Sequence, residues 1–222
     1  MKFSLLHPSR SRATKSFQAT QQWVNNSDKQ DYELIVSIDS NDPDKEHYQS
    51  LYRSTKAKVI INDNRSAVDA INNAAKVSQG EILIVVSDDT GCIRSWDTIL
   101  SKATEGQSDY ILKVFDGIQK WIVTMPVLDR VYYNRYGFVY YPAFKHMFCD
   151  TFLTHQADAL KRVIWRNDIT IPHLHYSVTR HGKDSVTIAA DSTLSEGERV
   201  YKNLVDQNLL IKGNIWDLSE YA

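Results

Sequence analysis

Two nearly uninterrupted apolar runs, Glu33–Ile38 (ELIVSI) and Ile82–Val86 (ILIVV), constrain this chain more than any other feature. A strand with one wet face alternates apolar and polar residues. These runs do not alternate, so each reads as a strand covered on both sides. Both stop at acids and turn residues, the first at Asp39 and Ser40-Asn41-Asp42-Pro43, the second at Ser87-Asp88-Asp89. Further strands are expected at Lys2–Leu6, Lys58–Ile61 and Tyr110–Phe115. Helices are expected over Ala13–Val24, with Phe17, Trp23 and Val24 inward, and over Ser95–Ala103. A third is expected over Arg65–Ser78, capped by Asn64 and stopped by Gly80, with Val68, Ile71, Ala74, Ala75 and Val77 at helical spacing. Strand-helix alternation of this kind implies an α/β fold with a mostly parallel sheet flanked by helices. Ligands in such folds sit beyond the carboxyl ends of the strands. Those ends are His7–Arg12, Asp39–Asp42, Asn62–Arg65 and Ser87–Thr90, all strongly polar.

Glycine placement narrows the ligand chemistry. The first glycine of the chain is Gly80, and no two glycines form a G-x-G. Dinucleotide-binding turns and P-loops use early glycines to bring backbone amides to phosphates, so both are excluded in their usual form. A nucleotide site here must be built from side chains. Lys plus Arg is 26 against 27 Asp plus Glu, for a net charge of -1. A surface held to nucleic acid by phosphate contacts carries a basic excess, and none exists, so no nucleic-acid partner is expected. The two cysteines, Cys92 and Cys149, form no zinc or disulfide framework. No apolar stretch approaches the roughly 20 residues of a spanning helix, and MKFSLLHPSR lacks a signal-peptide core. A cytoplasmic protein without a membrane span is the expectation.

After Asp116 the pattern changes. A strand is expected at Trp121–Pro126, an aromatic-rich stretch follows over Tyr132–Phe148, and a short strand is expected at Ile169–Ile171. Ser177–Asp191 reads as polar and irregular, and Thr193–Val205 as a helix. Without a repeat or a low-complexity linker, the chain reads as a single domain over residues 1–222. Residues 1–115 or so form a nucleotide-binding half, and about 116–222 a smaller acceptor half.

Several clusters carry chemistry, each beside a simpler reading. Asp88-Asp89 are adjacent carboxylates at a strand end, and they repel each other unless a cation or hydrogen-bond donors neutralise them. Magnesium-like ions favour one or two carboxylates plus phosphate oxygens; the simpler reading is a turn. Asp150 in Cys149-Asp150-Thr151 stands where a helix starts and serves there as an ordinary cap. His173 and His175 share one face if their segment is extended, which by itself is a weak metal signal. His7, His47, His146, His155 and His181 lack even that pattern. Tyr132, Tyr133, Tyr136, Phe138, Tyr140 and Tyr141 read first as core packing, with a short strand between Gly137 and Pro142 as a possible floor for an acceptor. Asp116-Gly117 reads as a turn.

The order and spacing of Asn64-Arg65, Ala70-Ile71-Asn72, Gly80-Glu81-Ile82 and Ser87-Asp88-Asp89 resemble the GT-A nucleotide-sugar glycosyltransferases, especially the family 2 type. Pro8-Ser9-Arg10 and Asp39 extend the likeness. It is close over residues 2–100 and looser to about residue 176. The resemblance implies a GT-A-like sheet and a donor nucleoside held by Ser9, Arg10 and Asp39. It places Arg65 near the base or phosphates, Asp88 by the ribose, and Asp89 on a divalent metal, Mn2+ or Mg2+. A C-terminal histidine on that metal follows too, His175 in preference to His173, and Asp150 becomes the acceptor base. Ser87 departs from the pattern, since many members carry an aspartate there.

The expected function is therefore metal-dependent transfer of a sugar from a UDP- or GDP-type nucleoside-diphosphate sugar to a sugar or other hydroxyl acceptor, with inversion through a carboxylate base. Two rivals use the same residues. A metal-dependent nucleotide hydrolase or nucleotidyltransferase would turn over nucleotide without a sugar acceptor. A non-catalytic nucleotide- or sugar-binding module would bind without turnover.

Overall fold

In the computed structural model, which describes residues 1–174 and 182–207, the doubly buried runs form the centre of one sheet. Strands β1 (Phe3–Pro8), β2 (Tyr32–Asp39), β3 (Lys58–Asn62) and β4 (Ile82–Val85) are parallel. The short β6 (Val127–Asp129) runs antiparallel between β4 and β5 (Ile111–Phe115), and β7 (Val163–Thr170) adds parallel to β5 at the edge. The order is β3-β2-β1-β4-β6-β5-β7, so strands from both halves of the chain share one sheet.

The helices are α1 (Ala13–Asn25), α2 (Lys45–Tyr52), α3 (Ala67–Lys76), α4 (Trp96–Ala103), α5 (Arg130–Tyr136), α6 (Cys149–Ala159), α7 (Ser185–Asp191) and α8 (Leu194–Asp206). Successive residues of each central strand alternate between two cores. Leu5, Leu34, Val36, Ile82 and Ile84 meet Trp23 of α1, Tyr48 and Tyr52 of α2, and Trp96 of α4. Leu6, Ile35, Leu83 and Val85 meet α3, the aromatic stretch and α6. Burial of each such aliphatic side chain contributes about 1.5–3 kcal/mol, which is why runs without polar alternation end at the middle of the sheet. Gly80 sits where a Cβ would come within 2.6 Å of the Phe3 carbonyl carbon, so it is the close approach of β1 that requires glycine there. Among the described residues, no helix is long and apolar enough to cross a membrane.

Five expectations are corrected, and one element was not anticipated. Ser66, not Asn64, caps α3 by accepting from the Asp69 amide, and the helix begins at Ala67. No strand forms over Trp121–Pro126. The Val123 amide goes instead to the Thr154 hydroxyl, and only Val127–Asp129 pairs into the sheet. Nor does one form between Gly137 and Pro142. Gly137 ends α5 in the left-handed region, and the Asn72 side chain takes the Val139 and Tyr140 amides. The last strand is Val163–Thr170, longer and earlier than Ile169–Ile171. Ser185–Asp191 is helical because Asp184 caps it. Finally, α2 arises in a polar stretch whose only deeply buried side chains are Tyr48 and Tyr52.

Candidate active site

The carboxyl ends of β1, β2 and β4 bring the first cluster together. Asp88 is buried and both of its oxygens are engaged, Oδ1 at 3.0 Å from His7 Nε2 and Oδ2 accepting from Ser9 Oγ at 3.0 Å. Around them runs a buried polar chain: Ser9 Oγ lies 2.6 Å from the Tyr48 hydroxyl, and Ser16 Oγ lies 2.9 Å from both His7 Nε2 and the Tyr52 hydroxyl. Buried polar groups that satisfy one another in this way become rigid. Arg12 adds a cation 3.8 Å from Asp88 Oδ2.

On the next strand, Arg10 donates to Asp39 and, at 2.9 Å, to Asn41. Asn64 donates to the other Asp39 oxygen at 2.8 Å. Ser9, Arg10, Asp39 and Asp88 therefore converge, with His7, Arg12, Asn41 and Asn64 beside them. Arg65 does not join the cluster. Its guanidinium is exposed and forks onto Asp69, four residues on in the first turn of α3.

Asp89 faces the opposite partner. Gly91 packs so tightly on Pro172 that a Cβ would lie 2.8 Å from its ring, and the Gly91 amide donates to the Pro172 carbonyl. Thr90 bridges to His173, and the Leu174 amide donates to the Asp89 carbonyl. These contacts leave His173 Nε2 3.4 Å from Asp89 Oδ1. Burial opposes the charge on both groups, yet the pairing outweighs it: the Asp89 carboxyl is held well below its usual range and the His173 imidazole is raised. Ser87, the residue that departs from the family pattern, donates to Asp89 Oδ1 at 2.6 Å and orients it. His175 lies outside the described residues.

A carboxylate and an imidazole, both part-exposed, suit a divalent ion that completes its shell with phosphate oxygens. The described residues contain no group of three or more His, Cys, Asp or Glu side chains able to hold an ion unaided. The donor set thus fits a metal shared with a diphosphate rather than a closed structural site.

Asp150 stands in the first turn of α6. Its Oδ1 accepts from the Thr151 amide at 2.7 Å, and Thr154 Oγ1 donates to its carbonyl. Burial lifts its carboxyl above the usual range against the pull of the Thr151 amide and of His146. His146 is exposed and lies among acids, with the charges of Asp150, Asp89 and Asp191 acting on its imidazole. The aromatic stretch is core: Tyr132, Tyr133, Tyr140, Tyr141 and Phe144 are buried.

Three residues of this region escaped the sequence reading. His7 and Arg12 both lie in the polar segment ending β1, and that position was itself a usable signal. His146 had none, because it reaches Asp150 and Asp89 through a non-helical segment. A cavity of about 710 Å³ opens elsewhere, beneath the amino ends of β1 and β4 among Lys2, Glu81 and Lys102. Its acids and bases gather none of the convergent chemistry of the opposite rim, which is the candidate site.

No protein-family model and no curated protein matches the sequence. Solved structures do match in shape. S. aureus TarS 1-349 aligns at 19% identity and a TM-score of 0.60, over 77% of this chain and 59% of that one. The mannosyltransferase PcManGT from Pyrobaculum calidifontis, solved with GDP-Man and Mn2+, aligns at 13% identity and 0.59, over 86% and 69%. Glucosyl-3-phosphoglycerate synthase from Mycobacterium tuberculosis, solved with Mn2+, UDP and glucosyl-3-phosphoglycerate, aligns at 10% and 0.59, over 96% and 80%. This chain spans about three fifths of the TarS 1-349 length, 59%. With its mostly parallel sheet, flanking helices and acid-rich carboxyl rim, the chain has the fold of the GT-A nucleotide-sugar glycosyltransferases.

Proposed function

We propose that this protein is a glycosyltransferase that moves a sugar from a UDP- or GDP-type donor to a hydroxyl of a sugar or other acceptor, with Mn2+ or Mg2+ as cofactor. One observation carries the reading: on the carboxyl rim of a GT-A fold, Asp89 meets His173, and α6 presents a carboxyl raised by burial, Asp150. That two fold neighbours were solved with Mn2+ and a nucleotide or nucleotide sugar supports it.

In this reading Ser9, Arg10 and Asp39 hold the nucleoside, with Asn41 and Asn64 setting the orientation of Arg10 and Asp39. Asp88 faces the ribose from its seat on His7 and Ser9. Arg65 reaches the base or phosphates only by exchanging Asp69 for the donor. Asp89 and His173, with His175 as a further candidate, hold the metal, which supplies charge neutralisation to the leaving diphosphate. Asp150 takes the proton of the acceptor hydroxyl as its oxygen bonds to the anomeric carbon. The bond from that carbon to the phosphate oxygen breaks, and its electron pair leaves with the nucleoside diphosphate. Direct displacement by one base inverts the anomeric centre. The donor half, to about residue 115, and the acceptor half after it act as a single domain.

The test is a thermal-shift panel of nucleoside diphosphates and nucleotide sugars with and without Mn2+, followed by turnover with sugar acceptors. A donor hit whose turnover needs an acceptor supports transfer. Nucleotide release independent of acceptor indicates a hydrolase, and binding without turnover indicates a binding module. The anomeric configuration of the product decides inversion.

A further inference from the structure

An exposed aromatic pair stands where the loop between β5 and β6 meets edge strand β7. Trp121 is 75% exposed and Trp165, on edge strand β7, is 39% exposed. Their rings stand edge to face, 6.2 Å apart at 62°. The loop beneath Trp121 is held by two buried charged side chains. Lys113 is fully buried, and its ammonium donates to the carbonyls of Val114 and, at 2.7 Å, Gln119. Asp116 is almost as deeply buried and accepts from the Ile118 and Gln119 amides and from Thr124 Oγ1. Burying a charge costs free energy unless it is fully hydrogen-bonded. Here two buried charges hold a loop whose outermost large side chain is an indole left in water.

The loop is also tied to the candidate site on both sides. The Val123 amide donates to Thr154 Oγ1, which donates to the carbonyl of Asp150. The Asp116 carbonyl accepts from the His173 amide at 2.8 Å. Trp121 therefore rides on a segment braced between the proposed base and the proposed metal ligand.

We infer that Trp121 and Trp165 form a platform for a carbohydrate unit of the acceptor, one or more residues away from the sugar that reacts. The inference rests on the transferase reading and narrows its acceptor to an oligosaccharide or longer glycan. A pyranose presents an apolar C–H face and a polar hydroxyl edge. An indole face bordered by the exposed polar side chains of Gln119, Lys120 and Asn167 matches both. The size also favours a sugar. Two partly exposed indoles, of about 150–250 Å² each, fall well short of the roughly 800 Å² per partner of a stable protein interface.

The test uses the full chain, its Trp121→Ala and Trp121→Phe variants, and an array of defined neutral di- to hexasaccharides. Thermal shift with UDP and GDP in Mn2+ reports the donor site separately. The wild type should bind a subset of the oligosaccharides. Trp121→Ala should lose about tenfold in that binding, Trp121→Phe should recover part of it, and nucleotide stabilisation should be equal in all three. Equal glycan binding by Trp121→Ala overturns the platform, as does a wild type that binds nucleotide but no oligosaccharide. Wild-type self-association abolished by Trp121→Ala in sedimentation velocity also overturns it, by assigning the patch to a second copy. Failure of nucleotide binding in every variant counts against the transferase reading alone, since the array measures the platform without donor.

Discussion

Asp150 opens α6 with a carboxyl that burial has raised and that the Thr151 amide and His146 only partly restrain. Asp150→Asn keeps the size and loses the base, so turnover should fall about 10²–10⁴-fold with donor affinity unchanged. The same group links stability to pH. Its raised pKa means that the folded chain holds the proton more tightly than the unfolded chain. That contribution is complete below the unfolded value, about 4, and is lost as pH rises through the folded one. The Tm of Asp150→Asn relative to wild type should therefore increase between pH 4 and pH 8; a constant difference would contradict the raised carboxyl. Asn72 makes a second residue-scale case. Quoted in the family likeness, it works in the core, where its Nδ2 donates to the Tyr140 carbonyl and its Oδ1 accepts the Val139 and Tyr140 amides. Asn72→Ala leaves those backbone groups buried and unpaired, and urea melts should show a loss of roughly 2 kcal/mol or more. The type and place of Asn72 were readable in the sequence. Its partners were not, since they lie in a stretch whose backbone is irregular.

At the scale of elements, a guanidinium at the end of β1 ties α7 to the sheet. Arg12 forks onto Asp184, donating at 2.8 Å through Nε, and also donates to Thr187 Oγ1 at 3.0 Å. Asp184 in turn caps α7 through the Thr187 amide. Arg12 draws the Asp184 carboxyl below its ordinary range against a smaller opposing effect of burial. The contact thus stabilises the fold at neutral pH and is lost only as the pH falls through that depressed value. Arg12→Ala should speed amide exchange across Ser185–Asp191 while costing the whole fold less than about 1 kcal/mol, because the Asp184 end of the pair is half exposed. Unchanged exchange would show that α7 is held by other contacts. The elements themselves were legible in proportion to their burial. The strands ILIVV and ELIVSI stood out because both faces are covered. The Lys45–Tyr52 helix did not, because it buries only two tyrosines, and β7 did not, because an edge strand keeps polar residues.

For the molecule as a whole, the proposed metal would join the two halves, since Asp89 follows β4 and His173 follows β7. A nucleoside diphosphate should raise the Tm more in Mn2+ than in EDTA, and Asp89→Ala and His173→Ala should each remove that increment by weakening a shared ligand set. Equal shifts in EDTA and Mn2+ would detach these residues from any ion. What the sequence determined by itself was the sheet and its polar rim, because uninterrupted apolar runs have one stable placement and their ends must carry the polar residues. It also offered the acids at 88 and 89 as candidates by type and position, and Asp150 through the family likeness. Tertiary structure alone decided which groups meet. Only folding set His7 against Asp88, closed Gly91 onto Pro172 to bring His173 to Asp89, and turned Arg65 away toward Asp69. Those pairings span up to 84 residues, from Asp89 to His173, and depend on close approaches of a few ångströms. Local periodicity reports which face of an element is buried, but not which distant side chain will lie against it.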